Sequence, residues 1–228
     1  MTALGILHPG QAAEDDYPRI EQLLGSDIRV DVVHTDIADS GRLRADVEQL
    51  RLTGAEALVW AGPADGTTPR REEAQAEIRV LAQAAGMPAS STPFGFVHAA
   101  AEIEARRVAV AAPGPREAAE QFAAFLRAGG LEVTAVHSAG AAAGEEAGDE
   151  ARLLALTRAA DAPGTDAILL PDTGLSTVAH LPALERSLDK PLLTAHQVTV
   201  WEGLRLTDRR VNAPRLGALF TREPVVQV

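Results

Sequence analysis

The sequence predicts an α/β protein made of two pseudo-twofold-related parallel-sheet domains with an interdomain cleft. Three observations predict it. Short aliphatic runs alternate with longer amphipathic stretches along the chain, as parallel strands joined by crossover helices do. Several runs are almost wholly apolar, which suits strands covered on both faces. The chain also repeats itself. Gly5-Ile6-Leu7-His8-Pro9-Gly10 is answered by Ala109-Val110-Ala111-Ala112-Pro113-Gly114, and Ile28–Thr35 by Leu131–Ser138. Gly54–Trp60 is answered by Gly164–Leu170, and Gly86–Thr92 by Asp189–Ala195. The order is kept at a spacing of roughly 100 residues, which is a duplicated domain and not a solenoid of short repeats. Matching loops of two like domains face each other across a cleft, a favoured place for ligands.

In chain order, the strands are predicted at Leu4–Leu7, Ile28–His34, Ala57–Trp60, Ala89–Ser91, Arg107–Ala111, Glu132–His137, Ala167–Leu170 and Leu192–Thr194. Helices are predicted at Asp15–Leu24, Gly41–Thr53, Pro69–Ala85, Phe96–Ile103, Pro115–Ala128, Glu145–Ala160, Leu181–Ser187 and Val198–Arg205. In the fifth helix the Gln121–Leu126 stretch carries a core-facing stripe, and Gly129-Gly130 ends it as a C-cap. The small-residue run Ser138–Gly144 reads as a linker ahead of the sixth helix, with a lid over the cleft as the alternative. Each half is expected to be flavodoxin-like: residues 1–100 plus 206–228 form the first domain and 101–205 the second, the tail segment Leu216–Phe220 packing back on the first.

Composition narrows the function. The 228 residues include no cysteine, which excludes disulfides, thiolate metal sites and thiol nucleophiles. The net charge of −11, without a Lys/Arg block, argues against a nucleic-acid partner. The start lacks a basic segment before an apolar one, and no run approaches the ~20 residues that span a bilayer, so no membrane partner and a cytoplasmic location are expected. The single lysine, Lys190, stands in a turn between Asp189 and Pro191 and reads as solvated.

Ligands of parallel α/β sheets bind at the carboxyl ends of the strands. Those ends carry His8-Pro9-Gly10, Gly62–Thr68, Ser91-Thr92, Pro113-Gly114, Pro171-Asp172-Thr173-Gly174 and Thr194-Ala195-His196-Gln197. Small residues, hydroxyls and helix N-termini there offer N–H donors to a carboxylate. Neither G-x-G-x-x-G nor a P-loop follows a strand, and no serine sits in a G-x-S-x-G elbow. His8, Asp172 and His196 lack the local spacing of a metal site. No cofactor is expected.

These stretches, in this order, resemble the aspartate/glutamate racemase superfamily, in the branch of maleate cis–trans isomerases and arylmalonate decarboxylases. The resemblance is carried by Gly5–Gly10, Gly54–Thr68, Arg106–Ala112, Asp166–Leu175 with Pro182-Ala183-Leu184-Glu185, and Pro191–Arg205 with Trp201. It implies two pseudo-symmetric α/β domains holding a small carboxylic acid, cofactor-independent chemistry at the carbon beside a carboxylate, and a possible homodimer. The family's cysteine after the strand Ala57–Trp60 is matched here by Gly62, or by Asp65 if a gap is opened; the one after Ala167–Leu170 is matched by Asp172. The aromatic hydroxyl that decarboxylase relatives carry after the strand Arg107–Ala111 is matched by Gly114.

Asp172, His196 and Asp65 are therefore the catalytic candidates. His8, Pro9, Gly10, Gly62, Ser91, Thr92, Gly114, Thr173, Gly174 and Gln197 are the substrate-binding candidates. Asp172 and Asp65 each have a plainer reading, as turn or cap residues ahead of a helix. An ionised Asp172 would repel a carboxylate substrate, so the catalytic reading needs it protonated. Histidine trades protons near neutrality, although His34 and His137 read as scaffold. The expected function is a cofactor-independent isomerase, racemase or decarboxylase. The alternatives are a catalytically silent small-acid-binding protein and a lyase or hydrolase using Asp-directed water.

Overall fold

A computed structural model describes residues 1–9, 16–25, 27–35, 40–62, 68–140 and 149–221. Its strands are β1 (Thr2–Pro9), β2 (Ile28–Thr35), β3 (Ala57–Trp60), β4 (Ala89–Ser91), β5 (Arg107–Ala112), β6 (Glu132–Ser138), β7 (Ala167–Leu170) and β8 (Leu192–Thr194). The helices are α1 (Asp16–Leu24), α2 (Ser40–Leu52), α3 (Arg71–Ala85), α4 (Thr92–Glu102), α5 (Arg116–Ala128), α6 (Glu150–Ala160), α7 (Leu181–Leu188) and α8 (Ala195–Leu206). The strands form two parallel sheets of identical topology, β2-β1-β3-β4 and β6-β5-β7-β8. The duplication read in the sequence is thus a duplication of topology.

Burial follows position in the sheet. The inner strands β1, β3 and β7 are buried along their whole length, whereas the edge strands β2 and β6 are mostly half-buried. That is why only the inner strands read as unbroken apolar runs. The largest cluster of buried side chains draws on both sheets, with Ile6 and Val59 from one and Val110 and Leu169 from the other.

Two helices start earlier than the sequence suggested. Helix α4 begins at Thr92, directly after β4, and Pro93 fits its first turn because that position needs no N–H. Helix α8 begins at Ala195, directly after β8, so His196 and Gln197 lie in a helical first turn and not in a loop. Helix α6 begins at Glu150, capped by Asp149, whose carboxylate accepts the Arg152 N–H at 2.8 Å; residues 145–148 of the predicted helix and 141–144 of the small-residue run lie outside the described residues.

Helix α8 follows the last strand of the second sheet, yet packs against α4, β3 and β4 of the first. Gly95 makes the close crossing possible: a Cβ there would stand 2.9 Å from Val198 Cγ1. The tail folds into two short 3-10 turns whose Leu216, Leu219 and Phe220 are buried. It is held by Gln197, whose Nε2 donates to the Leu216 carbonyl at 2.6 Å, and by the Glu185 carboxylate, which accepts the Ala218 N–H at 3.0 Å.

Candidate functional site

The carboxyl ends of β1, β7 and β8 bring His8, Asp172 and His196 to one region. His8 and His34 are register partners at the ends of β1 and β2, with ring centroids 5.6 Å apart. The His8 ring stacks near-parallel to His196 at 6.4 Å and lies 6.1 Å from Tyr17. Tyr17 sets its edge against His196 at 4.8 Å. His8, Tyr17 and His196 are buried, and so is Asp16.

Asp16 ties this corner together. One carboxylate oxygen, Oδ2, accepts the Thr177 N–H at 2.8 Å and the Val178 N–H at 3.4 Å. The same oxygen lies 3.2 Å from His196 Nδ1. The imidazole is close to that oxygen but not well aligned for a hydrogen bond to it. Burial pushes the Asp16 carboxyl up, but His196 and the two backbone N–H groups together outweigh it and hold the group below the usual carboxylate range.

Asp172 follows β7 and is half-buried. Its Oδ1 accepts the Gly174 N–H at 2.7 Å, which fixes the side chain in a local turn. Burial pushes its carboxyl up, the Gly174 N–H and the charge of His196 pull it down, and the net direction is up. The bond to Gly174 uses one of its two carboxyl oxygens.

The remaining predicted residues divide. Gln197 is wholly buried and spent on scaffold: Oε1 accepts the Thr194 N–H at 3.0 Å while Nε2 holds the tail. Thr92 Oγ1 lies 2.6 Å from Thr199 Oγ1 and near the Trp60 carbonyl, a second scaffold contact. Ser91 Oγ and His196 Nε2 are buried without a hydrogen-bond partner among the described residues, which is where a ligand oxygen or water gains most. Pro9 is buried at the end of β1, and Gly62 stands at the end of β3 with φ +101°, a conformation that favours glycine. The Gly114 carbonyl accepts the Ser138 hydroxyl at 2.7 Å. Thr173 is half-buried and Gly174 exposed beside Asp172. Gly10 and Asp65 lie outside the described residues.

The sequence reading missed Asp16, Tyr17 and Thr177. An acidic residue in the first turn of a helix reads as a dipole partner, and nothing local marks Asp16 as facing β7 and β8. No group of side chains suited to a metal ion occurs among the described residues. A separate cavity of ≈ 140 Å³ opens beside the C-terminal end of α8, between Trp201, Arg205, Asp208 and Phe220; none of the strand-end candidates line it. No helix among the described residues is long and apolar enough to cross a membrane.

Known proteins share this fold. Arylmalonate decarboxylase of Bordetella bronchiseptica is 32% identical over 145 residues, which is 61% of this chain; the match spans 60% of that relative's length. A crystal structure of arylmalonate decarboxylase superposes with a TM-score of 0.79 at 24% identity, covering 97% of this chain and 100% of that one. Maleate isomerase from Pseudomonas putida superposes at 0.81 with 15% identity, covering 96% and 98%. Maleate cis–trans isomerase from Nocardia farcinica, solved with a covalently bound succinylcysteine intermediate, superposes at 0.81 with 18% identity, covering 98% and 99%. These relatives are enzymes, and the fold is theirs. The sequence profile named arylmalonate decarboxylase matches residues 34–220, and the chain belongs to the arylmalonate decarboxylase family.

Proposed function

We propose that this chain is an enzyme that moves a proton at the carbon beside a carboxylate of a small organic acid, and that its reaction is decarboxylation of a malonate-type acid. The observation that carries the reading is Asp172, a carboxyl at the end of β7 whose burial raises its proton affinity. The family resemblance sets a cysteine at this position. A carboxyl held neutral can do what an ionised one cannot: approach a dianionic substrate without repulsion and give up a proton.

The step balances without further reactants. The bond between the central carbon and one carboxyl group breaks, and carbon dioxide leaves. The electron pair stays on the carbon and spreads into the remaining carboxylate as an enediolate. The Asp172 hydroxyl then gives its proton to that carbon. The resulting aspartate regains a proton from water through His196, which stands in the same corner of the site. Ser91 and the N–H groups of the strand-end loops hold the remaining carboxylate as it becomes the enediolate. Asp65, opposite Asp172 when the repeats are aligned with a gap, is proposed as the second carboxyl of the site.

The test is proton NMR in D2O with aryl-substituted malonates, maleate, aspartate and glutamate. Turnover of an aryl-substituted malonate, with deuterium entering the product and activity lost in Asp172→Asn, is the expected result. Broadening of ligand signals without turnover would replace this reading with that of a binding protein.

A further inference from the structure

The corner behind Asp172 holds a buried carboxylate that the reaction above does not consume. Asp16 belongs to the first turn of α1, yet its partners lie in the other half of the chain. Thr177 and Val178 sit in the segment that follows Asp172, and His196 opens α8. Asp16 and His196 are both buried, Asp16 Oδ2 and His196 Nδ1 are 3.2 Å apart, and His196 Nε2 has no partner among the described residues.

The two backbone N–H groups fix where Oδ2 stands. Nδ1 is the ring nitrogen beside that anionic oxygen, and a bare lone pair held at 3.2 Å from it would be repelled even without good alignment, in a corner where burial weakens solvent screening. Nδ1 must therefore carry the proton, and in a neutral ring that leaves Nε2 as the basic nitrogen. Alignment of such contacts commonly tightens in the Michaelis complex. We infer that Asp16 is a positioning residue: it holds the His196 proton on Nδ1, so that Nε2 serves as the nitrogen that exchanges protons in the site. By binding Thr177 and Val178 with the same oxygen, it also sets the segment carrying Asp172 against the helix carrying His196. The catalytic use of this arrangement rests on the proton-transfer reading above; the arrangement itself does not need turnover to be measured.

The experiment is a two-bond 15N–1H correlation spectrum of the uniformly 15N-labelled full chain, with His196 assigned by its loss in His196→Gln. The expected wild-type result is a neutral His196 ring with its proton on Nδ1. Asp16→Ala is expected to shift the ring toward the Nε2-protonated form. Asp16→Asn, which keeps an acceptor for Thr177 but carries no charge, is expected to lower kcat for an aryl-substituted malonate on the order of 100-fold with KM nearly unchanged. A wild-type His196 protonated on Nε2, or an unchanged ring in Asp16→Ala, overturns the inference. If Asp16→Ala does not fold, the wild-type spectrum decides alone. A wild-type chain that turns nothing over would sink the reaction instead, leaving this inference to the spectrum.

Discussion

The Ser90 hydroxyl donates to Glu202 across 2.6 Å, joining a strand of the first sheet to the helix that follows the last strand of the second. The same fully buried carboxylate accepts His98 Nδ1 at 3.0 Å and Arg205 at 2.7 and 2.8 Å. Three donor side chains from β4, α4 and α8 therefore converge on one anion. This network lies outside the candidate site, and its role is to lock α8 in place, which in turn fixes His196 at the helix's other end.

Removing that anion should be costly. Glu202→Ala leaves the buried Ser90 hydroxyl and the partly exposed His98 and Arg205 without their acceptor and is expected to lose roughly 1–3 kcal/mol of stability, most of it at Ser90 because solvent can take over the other two. Burial pushes the Glu202 carboxyl up, but Arg205, His98 and Ser90 together hold it below the usual range. A depressed carboxylate contributes stability that is present above its unfolded-state pKa and is lost as pH falls through the folded one. Denaturant titrations of wild type at decreasing pH should therefore show an acid loss that is smaller in Glu202→Gln. Equal acid slopes in the two chains would remove Glu202 from the account.

Asp172 predicts the opposite sign. Its carboxyl is raised by burial, so the folded state binds its proton more tightly and that contribution is lost as pH rises through the folded-state value. If the neutral acid is the proton donor, kcat/KM falls as pH rises, through a midpoint above the ordinary aspartate range. Asp172→Asn keeps an acceptor for the Gly174 N–H and cannot ionise at any pH. Its melting temperature at neutral pH is expected to equal or exceed that of wild type, while turnover drops on the order of 100-fold or more. A pH-independent rate, or an active Asp172→Asn, would remove Asp172 from the chemistry.

What the sequence disclosed and what it hid have a common cause. Period, patterning and order are local properties, so the strands, the duplicated topology and the strand-end positions of His8, Asp172 and His196 were legible. The partners of Asp16 and Glu202 were not, because each is set by a packing between the two halves that no local window contains. Gln197 misled for the same reason: a polar residue after a strand looks like a ligand donor until the tail is seen to claim its amide. The early start of α8 was hidden too, since a helix that opens directly from a strand has no loop to announce it.

Tyr17 offers a test that separates packing from chemistry. Its hydroxyl is buried, without an aligned partner among the described residues. Its neighbour Thr199 already donates to the Ala195 carbonyl at 2.8 Å. Burial first, with the Asp16 charge adding to it, drives the phenol far above its ordinary range, so it stays protonated. Deleting a buried hydroxyl that lacks a well-aligned partner among the described residues, with Thr199 its one near neighbour of that kind, removes a desolvation cost and keeps the ring's contact with His196. Tyr17→Phe is therefore expected to be as stable as wild type or up to about 1 kcal/mol more stable by urea denaturation. A loss of more than about 1 kcal/mol would mean that the hydroxyl is bonded in the folded protein.

The crossing of α4 and α8 makes the last prediction. Both helices start directly from strand ends, so a change at their contact moves the carboxyl-end corner itself. A Cβ at Gly95 would meet Val198 Cγ1 at 2.9 Å, Glu202 Cβ at 3.1 Å and the Val198 carbonyl at 3.4 Å. The Val198 methyl is the nearest obstacle and the Glu202 Cβ must also give by a few tenths of an ångström, so α8 shifts unless the valine side chain is trimmed. Gly95→Ala is expected to cost about 1–3 kcal/mol through overpacking, more than helix propensity returns, since alanine gains roughly 1 kcal/mol over glycine. Val198→Ala in the same chain should restore part of the loss by opening room for the new methyl. The double mutant thus reads coupling directly: stabilities that add without interaction would show that the helices are not held apart by this contact.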